Sequence, residues 1–231
     1  MQSSYFSFMN YVLQKSRRGD IENVIDTIDK FGWTKQWLMN IGDRKGKILD
    51  DAIRTRKPKT ILELGIIFFV NFCINNSLFI LIGTFLGYSS LRMAAQLPND
   101  ALIISIEINP ESAKIAHTIH KHAGVENRIK IIVDSTENVI PHLNKTFHIN
   151  KFDLIFIDHD GAAYLPDFML LEQYNLIKSG TMIVADNVIY PGAPKYLKYI
   201  RNNPNYTTRM YESTIEYRED IRDGVEVSVR K

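Results

Sequence analysis

The apolar positions of this chain change their spacing at Pro58. Before it, Ile21, Val24, Ile25, Ile28 and Phe31 recur with helical period behind Asp20, a good N-cap, and Ile48, Leu49, Ala52 and Ile53 mark a second helix. After it, short apolar runs alternate with helix-period segments. Residues 60–64, 101–106, 129–133, 152–157 and 181–185 read as strands, and 89–96, 110–123, 137–143, 165–176 and 195–202 as the helices between and after them. Asn109 and Pro110 supply an N-cap and a first-turn proline for the second of these helices. Strands separated by helices pair in parallel through right-handed crossovers. The pattern predicts an α/β fold, a doubly wound, mostly parallel seven-stranded sheet with helices on both faces. Residues 206–211 and 225–229 follow each other without a long crossover helix, which predicts an antiparallel pair at the C-terminal edge. There is no internal repeat or linker, so residues 1–231 are expected to form a single domain.

Acidic residues stand where the fourth and fifth of these strands end. Asp158 follows the run Phe152-Asp153-Leu154-Ile155-Phe156-Ile157, and Asp186-Asn187 follows Thr181-Met182-Ile183-Val184-Ala185. A crossover places both ends on one edge of the sheet, the edge at which ligands bind in such folds. Adjacent strands lie about 4.8 Å apart, so two carboxylates and an amide oxygen can share one hard cation of the Mg²⁺ type and leave positions open for substrate oxygens. The same residues could instead cap helices or turns, and spacing alone leaves the two readings level.

A cofactor is suggested by glycines between the first strand and its helix. Leu62-Glu63-Leu64-Gly65 closes the strand, and Gly83-Thr84-Phe85-Leu86-Gly87-Tyr88-Ser89 leads into the helix. Glu107, ending the second strand of the series, is placed to accept hydrogen bonds from ribose hydroxyls. Glu63 sits in the first turn, where its charge would repel a pyrophosphate and so disfavours a nicotinamide dinucleotide. S-adenosylmethionine carries no phosphate, and its sulfonium and amino groups are cationic, so an acidic first loop suits it better.

Bulk properties narrow the partners without naming one. A net charge of +2, with basic residues scattered among acidic ones, argues against nucleic acid and for a small-molecule ligand. One cysteine, Cys73, precludes an internal disulfide and fits a reducing compartment. Residues 1–20 are amphipathic and lack the features of a secretory signal, so a cytoplasmic, monomeric protein with no membrane association is expected. His117 and His120 lie one turn apart on the helix after Glu107, on a face expected to be solvated, with no carboxylate or cysteine to complete a metal site.

The chain resembles the catechol O-methyltransferases over nearly its whole length. The resemblance rests on Gln36-Trp37-Leu38-Met39-Asn40-Ile41-Gly42-Asp43-Arg44-Lys45-Gly46, Leu62-Glu63-Leu64-Gly65, Gly87-Tyr88-Ser89 and Glu107-Ile108-Asn109-Pro110, continuing with Phe156-Ile157-Asp158-His159, Tyr164-Leu165-Pro166-Asp167, Ala185-Asp186-Asn187-Val188-Ile189, Pro191-Gly192 and Glu216-Tyr217. It implies that Asp158, Asp186 and Asn187 bind Mg²⁺. It also implies that Met39, Ile41, Glu63, Gly65, Ser89, Glu107, Ile108, Thr136, Asp158 and His159 surround S-adenosylmethionine. Trp37, Met39, Asn187 and Pro191 would line a catechol slot, with Glu216 accepting a hydrogen bond from the hydroxyl that is not methylated. From the residues alone, Trp37 and Met39 would be core and Glu216 a solvated charge on an edge strand.

Two departures from the family pattern follow. An aromatic residue and a proton-accepting lysine are expected after Asp158-His159, but Asp160-Gly161 stand there. Loss of a general base is typically worth about 10²–10⁴ in rate. Asp160 is the candidate substitute, reaching through a water, and Gly161-Ala162-Ala163 suggests a looser loop than the family's. The alternative to an enzyme is a catalytically silent homologue that binds catechol and cofactor without turnover.

The other departure is an apolar insertion at 66–83, within a stretch from 64 to 91 that holds no charged residue before Leu91. Its length suits a membrane span, but Asn71, Asn75 and Asn76 interrupt it inside a loop whose flanks must meet. A hairpin turning at Asn75-Asn76 fits better among structural readings. Removing 66–83 restores the family's loop in register, which favours a translated intron or a gene-model error. On that reading, mass spectrometry of the natural protein will yield no peptide covering Phe68 to Leu81; finding one removes the idea.

Overall fold

The computed structural model describes residues 2–65, 71–74, 77–80 and 84–231. Three helices come first: α1 (Gln2–Lys15), α2 (Ile21–Thr34) and α3 (Gly42–Arg56). The alternating part follows as β1 (Thr60–Leu64), β2 (Asn71–Ile74), β3 (Ser77–Ile80), α4 (Tyr88–Gln96), β4 (Leu102–Glu107), α5 (Pro110–Ala123) and β5 (Ile129–Val133). It continues through α6 (Thr136–Val139), α7 (Leu143–Phe147), β6 (Leu154–Ile157), α8 (Tyr164–Gln173), β7 (Met182–Ala185), α9 (Pro194–Asn202), β8 (Tyr206–Thr214) and β9 (Arg222–Arg230).

Seven strands form one sheet in the order β5-β4-β1-β6-β7-β9-β8. β1 pairs in parallel with both β4 and β6, so the winding reverses there and a crevice opens beyond the C-terminal ends of β1 and β6. β9 runs antiparallel to both β7 and β8, which makes β8 the edge. The doubly wound sheet and its antiparallel pair are those the hydrophobic pattern predicts. β2 and β3 form a separate antiparallel pair in which Ile74 faces Ser77. Residues 66–70, 75–76 and 81–83, on which much of the insertion reading falls, lie outside the described residues.

Period-two alternation sends successive strand residues to opposite faces, and each face has its own core. Ile61, Ile103, Phe156 and Val184 pack with Val24, Ile28, Leu49, Ile53 and Leu91 of the early helices. Leu62, Leu64, Ile104, Ile106, Ile155, Ile157 and Ile183 pack with Phe168, Leu171, Tyr196 and Ile200 on the other side. Glu63 shares the face of Ile61 and is therefore directed toward the early helices.

Local chemistry sets several boundaries. Asp20 Oδ1 caps α2 through Asn23 N at 3.0 Å, and Asn109 Oδ1 caps α5 through Glu111 N at 2.9 Å and Ser112 N at 3.2 Å. The helix expected at 137–143 is broken because Pro141 has no N–H to continue it, and a 3-10 turn at Ile140–His142 separates α6 from α7. Of the two histidines expected on a solvated face, His117 is exposed and His120 is not. His120 is buried, with Nε2 3.0 Å from Ser90 Oγ and 3.1 Å from the Gly87 carbonyl. Gly87 holds a left-handed φ of +84°, and a Cβ there would stand 2.4 Å from His120 Nε2. That histidine is a clamp on the loop before α4. Among the described residues, no helix is long and apolar enough to cross a membrane.

Candidate active site

A short backbone ladder continues past the strand ends and brings the predicted residues together. Gly65 N bonds to Ile106 O at 3.3 Å, Asp158 N to Leu64 O at 3.0 Å and Asp186 N to Ile157 O at 2.9 Å. Gly65, Asp158 and Asp186 thus stand side by side on one edge, next to Glu107 at the end of β4. Asn187 follows with φ of +51°, a left-handed conformation that asparagine tolerates better than most residues.

The centre of this edge is Lys45, whose side chain from α3 is fully buried. Its ammonium lies 2.9 Å from Asp186 Oδ1, 2.5 Å from Glu216 Oε1 and 2.7 Å from Asp223 Oδ2. Burial opposes its charge, but Asp186, Glu216 and Asp223 outweigh that and hold it well above the ordinary lysine range. Glu216 lies beyond the end of β8, in the turn before β9, and is buried; it is neither an edge-strand residue nor a solvated charge. Asp223 also accepts from Asn187 Nδ2 at 3.0 Å and, through Oδ1, from Tyr190 N at 3.0 Å, which fixes the loop that carries Pro191.

The carboxylates outnumber the ammonium. Asp158, Asp186, Glu216 and Asp223 against Lys45 leave a formal charge of −3 when all are ionised. Burial pushes Asp158 up to about 7, Lys45 pulls it back, and Glu216, Glu63 and Asp223 raise it further. Burial likewise drives Asp186 well above the usual range, against Lys45 and with the neighbouring acids. Asp186 Oδ1 is held by the Lys45 ammonium at 2.9 Å, while Oδ2 is buried without a partner. Among the described residues no three His, Cys, Asp or Glu side chains are arranged to hold a metal ion. The sequence-predicted set is of another kind, two carboxylates and the amide of Asn187, and the unpartnered Oδ2 of Asp186 with the surplus negative charge suits a divalent oxygen-seeking cation there.

Polar atoms without partners mark the neighbouring strand ends. Glu107 Oε1 accepts from Asn109 N at 2.7 Å, while Oε2 is buried and unpartnered, and burial pushes this carboxyl up to about 8. Ser135 Oγ after β5 and His159 Nδ1 after β6 are also buried without partners. His159 Nε2 is 2.9 Å from Asp167 Oδ2, and its ring stacks on Tyr164. Glu63 is buried and raised by that burial, with the hydroxyls of Ser89 and Ser105 pulling the other way. Ile41 and Thr136 are buried, Met39 is half-buried and Ile108 is exposed. On the side of Asn187, Trp37 is half-buried with its indole N–H donating to Glu216 O at 2.7 Å, and Pro191 is exposed.

Asp160 is not brought into this group. It is exposed, and its Oδ1 accepts from Ala162 N at 3.0 Å, so the carboxylate caps its own turn. The loop is also tighter than its composition suggests. A Cβ at Gly161 would stand 2.4 Å from the Gly192 carbonyl oxygen, a backbone atom that cannot rotate away. Sequence reasoning assigned no role to Lys45 or Asp223. Lys45 stands inside the quoted 36–46 motif, and its basic charge amid helix residues otherwise turned to the core was the available signal.

Two outcomes are expected. Lys45→Met, which leaves three buried carboxylates unpaired, will destabilise the fold by about 3–5 kcal/mol in urea denaturation; a change under 1 kcal/mol, read on the same order-of-magnitude scale, would show the ion cluster to be unimportant to stability. Glu107 has a folded pKa of about 8, above its unfolded value. The folded state therefore binds the extra proton between about pH 4.5 and 8, and this contribution to stability is lost as pH rises through that window. Glu107→Gln in the ligand-free protein will flatten the decline between pH 5 and 8, as followed by melting temperature.

The comparisons with known proteins agree with this geometry. A family model described as O-methyltransferase matches residues 69–228. Catechol O-methyltransferase of Bos taurus is 35% identical over 223 residues, covering 96% of this chain and 75% of that protein. Catechol O-methyltransferase B of Danio rerio is 39% identical over 218 residues, with 94% and 75% covered. Among solved structures, an O-methyltransferase from Bacillus cereus in complex with SAH superposes with a TM-score of 0.69 at 19% identity, covering 97% of this chain and 91% of that one. The chain belongs to the O-methyltransferase family, among the catechol O-methyltransferases.

Proposed function

We propose that this protein transfers a methyl group from S-adenosylmethionine to one hydroxyl of a catechol, with Mg²⁺ held by Asp158, Asp186 and Asn187. The observation that carries the reading is the juxtaposition, along one sheet edge, of the unpartnered Oδ2 of Asp186 in a negatively charged cluster and the unpartnered Oε2 of Glu107. The names of the relatives supply the catechol, and the SAH complex of the Bacillus cereus structure supports the donor.

On this reading Glu107 accepts hydrogen bonds from the ribose hydroxyls, and Glu63 faces the cationic end of the donor. Gly65 lets backbone approach it closely. Ile41, Ile108, Thr136 and His159 enclose the rest, with Ser89 fixing Glu63. Asp158, Asp186 and Asn187 would hold Mg²⁺, which would supply the Lewis acidity that lowers the pKa of the attacked hydroxyl. Glu216, held in place by Lys45, accepts from the other hydroxyl, and Trp37, Met39 and Pro191 flank the ring. The attacking oxygen forms its bond to the methyl carbon as the carbon–sulfur bond breaks and the electron pair returns to sulfur. Positioning and charge stabilisation supply most of the acceleration. With Gly161 in the lysine's place and Asp160 turned to its own loop, the phenolic proton passes to solvent. Those same two residues favour a second reading, a homologue that binds without turning over.

The experiment is transfer of a radiolabelled methyl group to a simple catechol, with Mg²⁺ or with a chelator, beside calorimetric binding of the same catechol. Mg²⁺-dependent transfer is expected. Transfer that survives chelation would remove the metal assignment, and catechol binding without transfer would establish the silent reading. Gly161→Lys is expected to lower both stability and transfer instead of restoring a base, because the Gly192 carbonyl occupies the space its Cβ needs.

A further inference from the structure

Asp29 on α2 has no place in the chemistry just described, yet its carboxylate joins the two halves of the site. Its Oδ1 accepts hydrogen bonds from Tyr88 OH at 2.6 Å and from Tyr217 OH at 2.8 Å. Tyr88 opens α4 directly after Gly87, on the cofactor side. Tyr217 directly follows Glu216, on the catechol side. A single oxygen on α2 therefore ties together two segments that are far apart in sequence and adjacent in the crevice.

Each arm is itself constrained. Tyr217 has φ of +51°, a left-handed conformation that a bulky residue adopts only when its surroundings hold it there. Its ring lies against Gly32, where a Cβ would come within 2.6 Å, and Trp33 meets it edge-on at 5.7 Å. The Glu216 carbonyl receives the Trp37 indole N–H, so Trp37 and Tyr217 fix the backbone of Glu216 from two directions. On the other arm, Tyr88 OH accepts from Arg92 Nη1 at 2.9 Å, and the Arg92 guanidinium pairs with Asp50 on α3. That guanidinium rests on Gly46, the neighbour of Lys45. None of these contacts is made by the Glu216 carboxylate itself, so they bear on its position through the backbone of Glu216 and the helix that carries Lys45.

We infer that Asp29, acting through Tyr217 and Tyr88, is a positioning residue that fixes Glu216 and Trp37 relative to the loop before α4 and so sets the affinity for catechol. The inference rests on the methyltransferase reading above. Tyr217→Phe and Tyr88→Phe keep the rings and remove only the hydroxyls, and the double variant closes a cycle. The readouts are KM for catechol and for S-adenosylmethionine, kcat, and melting temperature. Tyr217→Phe is expected to raise the catechol KM roughly fivefold, the worth of one buried hydrogen bond, with the donor KM and kcat nearly unchanged. Tyr88→Phe, although outside the catechol turn, is expected to raise the catechol KM as well. The double variant should be little worse than the more affected single one, because both hydroxyls act through the same oxygen. A fall in melting temperature with an unchanged catechol KM in both variants would make the network purely structural and overturn the inference. Absence of transfer by the unsubstituted chain would overturn the functional reading and this inference together, whereas active parent and unaffected variants overturn the inference alone.

Discussion

The ammonium of Lys45 is the contact on which the site's geometry depends. A lysine is stable at zero exposure only where opposite charge more than offsets its lost hydration, and here Asp186, Glu216 and Asp223 meet that requirement at 2.5–2.9 Å. These partners come from different parts of the fold. Asp186 directly follows the interior strand β7, Glu216 lies in the turn after β8, and Asp223 is the second residue of β9. The one ammonium thus binds α3 to the parallel sheet and to the antiparallel pair. Without it the turn that carries Glu216 would have no electrostatic reason to fold inward.

A lysine bound this way also limits what the site can be. Its proton is held too firmly for it to act as a base, and it neutralises only part of the charge around it. What remains is a negative edge lying where the winding of the sheet reverses, with one unpartnered oxygen on each of Asp186 and Glu107, Oδ2 and Oε2. Such groups are costly in a folded protein unless a ligand satisfies them. On the proposed function, a divalent cation and a ribose would meet these needs in chemically distinct ways, one by charge and the other by donated hydrogen bonds. The two requirements sit on the same edge because β1 neighbours both β4 and β6.

The parallel strands and the residues that end them were legible in the sequence because a fully buried strand must be apolar along its length. Asp158 and Asp186 stand out at the ends of such runs, and the backbone bonds past the strand ends bring them side by side. Glu216 was assigned through resemblance, but its surroundings were not legible: an acid beyond an alternating edge strand looks solvated until Lys45, 171 residues earlier, is brought to it. Asp223 was missed for the same reason. His120 was misread because helical spacing reports which residues share a face and not what packs on that face. Its burial follows from Gly87, whose missing side chain makes room for the imidazole. The break at Pro141 was misread as well, since a helix was expected through 137–143, although the missing N–H was the available signal.

The missing base has its own physical explanation. Read as composition, Asp160-Gly161-Ala162-Ala163 is a loop that lost a lysine and gained freedom. In the fold it is a closed turn, with Asp160 bonded to Ala162 N and with Gly161 pressed against the Gly192 carbonyl. Gly192 belongs to the loop that Asp223 anchors through Tyr190 N, and Asp223 is itself held by Lys45. The space a side chain at position 161 would need is therefore taken up by a loop fixed from the buried ion cluster. Glycine is required there by close approach, as at Gly32 beneath Tyr217, and not by a need for flexibility. A site built this way relies on fixed charge and position, with glycine at 161 where the family resemblance expects a lysine.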